Sequence, residues 1–161
     1  MTRLSVLSLV ALFSISISCN NNNGNMKTQK EVSTSNPLLQ PSTLPFQAIP
    51  FDKITDADFQ PAIEEGMKQQ LAEIQKIANN PDSPTFENTL VTLEKSGQLL
   101  TRANNAFRVL AGANTDPEIQ NVQQEEAPKM AANEDAIYLN SKLFKRVETI
   151  YNQREKLTQD P

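Results

Sequence analysis

Carboxylates are the one catalytic-type side chain that the sequence sets in pairs: Glu64-Glu65, Glu125-Glu126 and Glu134-Asp135. Two carboxylates can divide acid–base work, or hold a divalent metal, only when they face a common point. Adjacent positions on a helix point roughly 100° apart, so neither member of such a pair helps the other hold a metal. A carboxylate site inside a helical bundle needs Glu-x-x-His from at least two helices, and the chain contains no histidine. The same absence removes the usual general base, the commonest zinc ligand and every Ser–His or Cys–His arrangement. No Gly-rich phosphate loop is present. The single cysteine, Cys19, excludes an internal disulfide framework. Glu94-Lys95-Ser96 and Lys145-Arg146 read as ordinary surface charge, and Glu94 with Gln98 as a solvated i,i+4 pair. Residue types and spacing therefore assign no catalytic, cofactor-binding or metal-binding residue.

The elements around these residues read as helices. A chain of 161 residues has room for one domain with a modest core. Tryptophan is absent, there are 4 glycines, and Ala, Leu, Glu, Gln and Lys dominate the second half. Sheets need turn glycines and runs of β-branched residues, so the composition predicts an all-α body. The net charge is −4, or −5 once Arg3 leaves with residues 1–18. A mildly acidic chain carries no electrostatic footprint for nucleic acid.

Arg3 supplies a positive start, and Leu4 to Ile17 is apolar apart from serines. The stretch is too short and too polar for a good transmembrane helix, and it fits the apolar region of a signal peptide over 1–18. It ends in Ser16-Ile17-Ser18-Cys19, which resembles a bacterial lipobox, with Ser16 where Leu is most usual. Lipidation at Cys19 is expected, which anchors the chain to a membrane facing the periplasm of a Gram-negative bacterium. An ordinary secretory signal with an incidental cysteine is the plainer alternative. Residues 20–35 are Asn-rich and then almost free of apolar side chains, so a flexible tether is expected over 19–35.

Pro37, Pro41, Pro45 and Pro50 alternate with Leu38, Leu39, Leu44, Phe46, Ile49 and Phe51. Each proline fixes its own φ and holds the preceding residue extended. An extended strap over 36–54, with its apolar side chains docked, is expected; a ligand for a Pro-recognising domain is the sharper alternative. From 55 to 161 about four helices are expected. Thr55 and Asp58 form a capping box, but Pro61 lies deep enough to predict a separate turn at 55–59 and a main helix from Pro61. Its stripe is Ile63, Met67, Leu71, Ile74 and Ala78, and Asn79-Asn80-Pro81 ends it. A second helix, capped by Ser83 or Thr85, carries one unbroken stripe: Phe86, Leu90, Leu93, Gly97, Leu100, Ala103 or Asn104, Phe107 and Leu110. Gly97 in that stripe predicts close approach by a neighbouring helix. Asp116 and Pro117 restart the chain into a third helix with Ile119, Val122, Met130 and Ile137, kinked at Pro128. Asn140 caps a last helix with Leu143, Phe144, Val147, Ile150 and Tyr151 on its packed face.

Several runs resemble a known family. They are Asn36-Pro37-Leu38-Leu39-Gln40-Pro41-Ser42-Thr43-Leu44-Pro45-Phe46, then Pro50-Phe51-Asp52-Lys53-Ile54, then Phe59-Gln60-Pro61-Ala62-Ile63-Glu64-Glu65-Gly66-Met67, and Ile77-Ala78-Asn79-Asn80-Pro81. The most specific is Pro84-Thr85-Phe86-Glu87-Asn88-Thr89-Leu90, continuing to Leu93-Glu94-Lys95-Ser96-Gly97; Ala127-Pro128-Lys129-Met130 and Asp135-Ala136-Ile137-Tyr138-Leu139-Asn140 follow. In this order they resemble the amino-terminal portion of bacterial peptidyl-dipeptidases of the thimet-oligopeptidase type. The resemblance implies a zinc metallopeptidase that releases carboxyl-terminal dipeptides from oligopeptides. It implies a long helical clamshell around a deep channel, with this portion as the helical cap that restricts access. The family's zinc is held by H-E-x-x-H and a later Glu, far along a much longer chain. No position here matches those residues, so no cofactor is expected in this chain. Glu126 stands where an apolar residue is expected, and Asn133 where His is frequent.

Two functional readings follow. In one, the chain is the cap fragment of an exported peptidyl-dipeptidase, inactive alone, since Asp160-Pro161 ends no recognisable element. In the other, it is a complete small lipoprotein that serves as a helical peptide-binding or adaptor module.

Overall fold

The computed structural model describes residues 36–156. The expected signal peptide, Cys19 and the tether lie outside the described residues, as do positions 157–161.

Among the described residues there is no strand, and the all-α expectation holds. The order is α1 (Asp56–Ala78), a π-helix (Phe86–Val91) running into the three-residue α2 (Thr92–Glu94), α3 (Gln98–Ala113), α4 (Pro117–Tyr138) and α5 (Ser141–Asn152). Short 3₁₀ turns precede α1, at Pro37–Leu39, Pro45–Gln47 and Phe51–Lys53. Helix α1 is the central element: α3 and α4 pack along it, and α5 meets its carboxyl-terminal end.

Two apolar clusters line α1. The larger joins Leu38, Phe59, Ala62, Ile63 and Met67 to Leu100, Ala103 and Phe107 of α3 and to Ile119 and Val122 of α4. The Phe59 and Phe107 rings meet edge to face, 5.5 Å between centroids. The smaller joins Ile74, Ile77 and Ala78 to Ile137 and Leu143.

Helix α1 begins five residues earlier than the proline predicts. Pro61 sits inside an unbroken helix, not at its start. The Asp58 carboxylate takes the Thr55 N–H at 2.8 Å and the Thr55 hydroxyl at 2.7 Å, which closes the first turn. Phe59 is completely buried, and only a helical backbone through 56–60 carries it there. That burial outweighs the one intrahelical bond that proline cannot donate. Pro128 likewise lies within α4, which continues to Tyr138.

The second stripe is broken, not continuous. Gly97, at φ +71°, separates α2 from α3. Its N–H donates to Glu73 Oε2 at 2.8 Å, so α1 fixes the break. Helix α1 does come close at Gly97, where a Cβ would stand 2.5 Å from Gln70 Nε2, and backbone meets backbone at Gly66, where a Cβ would stand 2.7 Å from Leu100 Cα and 2.8 Å from Leu100 N. A residue with no side chain on α1 is what lets α3 settle onto it.

Candidate functional site

Of the carboxylate pairs, only Glu125 and Glu126 meet at a common atom, and that atom is an amide donor, Gln60 Nε2. Glu65 turns back along α1 and accepts from Lys68 Nζ at 2.9 Å and Gln69 Nε2 at 3.0 Å. Those hydrogen bonds, Gln69 first and then Lys68, hold its carboxyl below the usual range. Glu64 crosses to Lys129 of α4. Glu126 is buried at 3 % exposure and accepts from Lys129 Nζ at 2.7 Å and Gln60 Nε2 at 3.1 Å. Glu125 beside it is exposed and accepts from the same amide at 2.9 Å. Burial works against the Lys129 charge, but hydrogen bonds to Glu126 and Glu64 outweigh it and raise its pKa. Glu134 and Asp135 face solvent.

The seam between α1 and α4 is therefore polar at two levels. One is the Gln60–Glu64–Glu126–Lys129 group; the other is Asn133, 5 % exposed, whose Nδ2 donates to Gln70 Oε1 at 2.8 Å. Glu126 Oε2 and Asn133 Oδ1 are buried with no hydrogen-bond partner. Both residues lie in the packed face of α4.

Arg146 overturns its reading as surface charge. It is 7 % exposed, and its guanidinium donates to four neutral oxygens: Asn80 O at 2.9 Å, Asp82 O at 3.0 Å, Thr89 Oγ1 at 3.3 Å and Asn88 Oδ1 at 2.9 Å. Around it the Pro84–Leu90 motif folds into its own cap. Thr85 N donates to Asn88 Oδ1 at 2.9 Å, Asn88 N to Thr85 Oγ1 at 3.1 Å, and Asn88 Nδ2 to Ser83 O at 2.9 Å. Thr89 is fully buried. The most specific run of the sequence is thus a receptor for one arginine 57 residues or more further along the chain. Spacings of three from Leu143 and four to Ile150 put Arg146 on the buried face of α5, and the carbonyls of the 80–82 turn supply the acceptors that let a charge lie there.

The strap docks at its first turn. Asn36 Nδ2 donates to Asp58 O at 2.8 Å, its Oδ1 accepts from Leu38 N at 2.9 Å, and Leu38 enters the core. Arg102 Nε holds Leu38 O at 3.0 Å, and burial lowers the pKa of that guanidinium. Leu39, Ile49 and Ile54 pack on the core edge, while Leu44, Phe46 and Phe51 are exposed. On α5, Leu143 and Ile150 are buried as the stripe predicts, but Phe144 and Tyr151 face solvent.

A catalytic zinc does not fit these residues. The sequence has no imidazole, and Cys19 lies outside the described residues. Among the described residues no three Asp, Glu, His or Cys side chains gather where they could hold a metal. The small groove lined by Glu73, Lys76, Ile77, Asn80, Asn88 and Thr92 offers no reactive group either. Glu73 there already accepts from Gly97, and Thr92 donates to Glu87 O at 2.9 Å.

Comparison with known proteins gives the class first: this helical, strapped domain is related in sequence to peptidases. The particular resemblance is to dipeptidyl carboxypeptidase. The chain is 43 % identical over 127 residues to that protein of Salmonella typhimurium, which is 79 % of this chain and 19 % of the relative. It is 43 % identical over 129 residues to that of Escherichia coli K12, 80 % of this chain and 19 % of the relative. The chain thus resembles an amino-terminal portion of these peptidases, and the match spans about a fifth of their length. Wherever a 127-residue match begins in 161 residues, it includes positions 35–127, and so the strap, α1, the motif around Arg146 and α3. No family model matches the chain.

Proposed function

We propose that this chain supplies the helical cap of an exported zinc peptidyl-dipeptidase that releases carboxyl-terminal dipeptides from oligopeptides, with the zinc centre in polypeptide beyond it. One observation carries the reading: 43 % identity to dipeptidyl carboxypeptidases over about four fifths of the chain. The absence of any imidazole agrees with a catalytic centre located elsewhere. The oligopeptide substrate meets the cap only in the complete clamshell. The decisive experiment is to read the DNA downstream of codon 161. An open frame encoding H-E-x-x-H supports the cap reading. A stop codon followed by an unrelated gene overturns it in favour of a small adaptor lipoprotein.

Localisation at the periplasmic membrane surface belongs to the same proposal. It is supported by the apolar run Leu4–Ile17, the lone Cys19 two residues after it, and the polar stretch to Ser35. Cys19→Ala should release the protein or block its processing. Unchanged mass and membrane fractionation in that variant would exclude lipidation.

A further inference from the structure

The strap is docked by one edge only. Phe46 is 104 % exposed, the most exposed large apolar side chain among the described residues, and Leu44 and Phe51 flank it at 42 % and 41 %. Among the described residues, Phe46 and Gln47 are also the two non-glycine residues at positive φ, +58° and +54°. Such a conformation in a bulky residue persists only where surroundings impose it. Here the contacts that impose it are local: Gln47 N to Leu44 O at 2.9 Å and Ala48 N to Pro45 O at 3.2 Å. A fully exposed ring adds none. The turn is braced by Pro45 and Pro50, and no charged side chain occurs from Val32 to Phe51. A rigid, uncharged loop that presents a strained aromatic to water is built to insert the ring into something apolar.

We propose that Leu44–Phe51 is a preformed latch whose Phe46 ring enters an apolar hollow on the remaining four fifths of a dipeptidyl-carboxypeptidase-type polypeptide. The inference rests on the family reading above. It favours that occupant over a membrane or a second copy because the strap lies inside the stretch shared with the relatives, and those relatives are about five times longer than the match. The prolines fix the loop before contact, so docking orders little further backbone.

The test grafts residues 36–156 into the Escherichia coli enzyme in place of its matched stretch, and compares variants there with the same variants in the whole chain alone. In the graft, Phe46→Gly and Phe46→Ser should raise proteolytic cleavage within the strap about ten-fold and lower the thermal midpoint, while Phe46→Tyr restores both. In the chain alone, Phe46→Gly should leave the midpoint unchanged or raise it, because glycine relieves the positive φ and no contact is lost. Equal loss in both settings would place Phe46 in the chain's own core and overturn the latch. No effect in the graft would overturn it too. So would Phe46-dependent binding to phosphatidylcholine vesicles, or Phe46-dependent self-association, with the graft unaffected. A graft that neither folds nor releases dipeptides overturns the family reading, and the latch with it.

Discussion

Arg146 has no carboxylate among its acceptors, so its charge is stabilised entirely by oriented dipoles. Arg146→Ala would leave the Asn80 and Asp82 carbonyls without their guanidinium donor and remove a packed side chain, while the Asn88 amide oxygen would keep the Thr85 N–H and the Thr89 hydroxyl. A loss of about 3 kcal/mol in unfolding free energy is expected, measured by urea titration. Arg146→Lys keeps the charge but has no fork to span the Asn80 and Asp82 carbonyls and Asn88 together, so it should recover less than half. Glu126 is the opposite case. Its carboxylate is buried in an apolar stripe with one oxygen unpartnered, while Lys129 and Gln60 each keep a second partner in Glu64 and Glu125. Glu126→Met should therefore stabilise the chain by about 1 kcal/mol, seen as a higher urea midpoint at unchanged slope. The same seam sets a pH dependence. The Lys129 pKa is raised in the folded state, so its contribution is complete below the ordinary lysine pKa. It is lost as pH climbs through the raised folded value. Lys129→Met should flatten the alkaline limb of a stability-against-pH curve.

At the scale of elements, the sign of a glycine substitution separates two causes of close packing. Gly→Ala in a helix interior ordinarily stabilises by about 1 kcal/mol. Gly66→Ala should instead destabilise by about 1–3 kcal/mol, because the new methyl meets the backbone of Leu100, which cannot move without separating α1 from α3. At Gly97 the nearest atoms belong to the Gln70 side chain, which can move aside only by giving up its bond from Asn133, so the cost of Gly97→Ala combines its positive φ with that lost bond. These two positions also mark what the sequence could disclose. Helix caps were legible because they are local: Thr55, Thr85, Asp116 and Asn140 each act within three residues, although Pro61 misplaced the start of α1 behind its own cap. The stripes of α1 and α3 were legible for the same reason of short period. The break at Gly97 was not, because a glycine in a stripe reads equally as a contact or a stop, and the deciding partner is Glu73, 24 residues away. Phe144 and Tyr151 were assigned inward on spacing, while burial of Arg146 depends on a turn 64 residues or more before it. The candidate site was legible in outline only. Absence of histidine fixed what the chain lacks, and Glu126 and Asn133 stood out as odd, but their orphaned oxygens needed the α1–α4 seam to be seen.

The whole molecule is expected to be inert by itself, for reasons of donor chemistry rather than stability. A catalytic zinc needs neutral imidazoles, or thiolates, that hold three positions and leave a fourth for water. The chain has no imidazole, and its one thiol is at Cys19 in the processing segment, where the lipoprotein reading makes it a thioether and a poor zinc ligand. The remaining donors are carboxylates, and those of the first two pairs are engaged by amide and ammonium donors: Glu64 with Lys129, Glu65 with Lys68 and Gln69, Glu125 with Gln60, and Glu126 with Gln60 and Lys129. A hard cation could sit weakly on such a surface, but a dry, ordered site that polarises water cannot form from groups already bound to ammonium and amide donors. Incubation of the purified chain with zinc and an N-blocked tetrapeptide should therefore release no dipeptide above a matched blank, and calorimetry should show no tight zinc binding. The graft into the Escherichia coli enzyme should release dipeptides, because it supplies the missing body. Chelator-sensitive release of a carboxyl-terminal dipeptide by the chain alone would mean that its own side chains build a metal site, and would reverse the assignment of this chain as a cap.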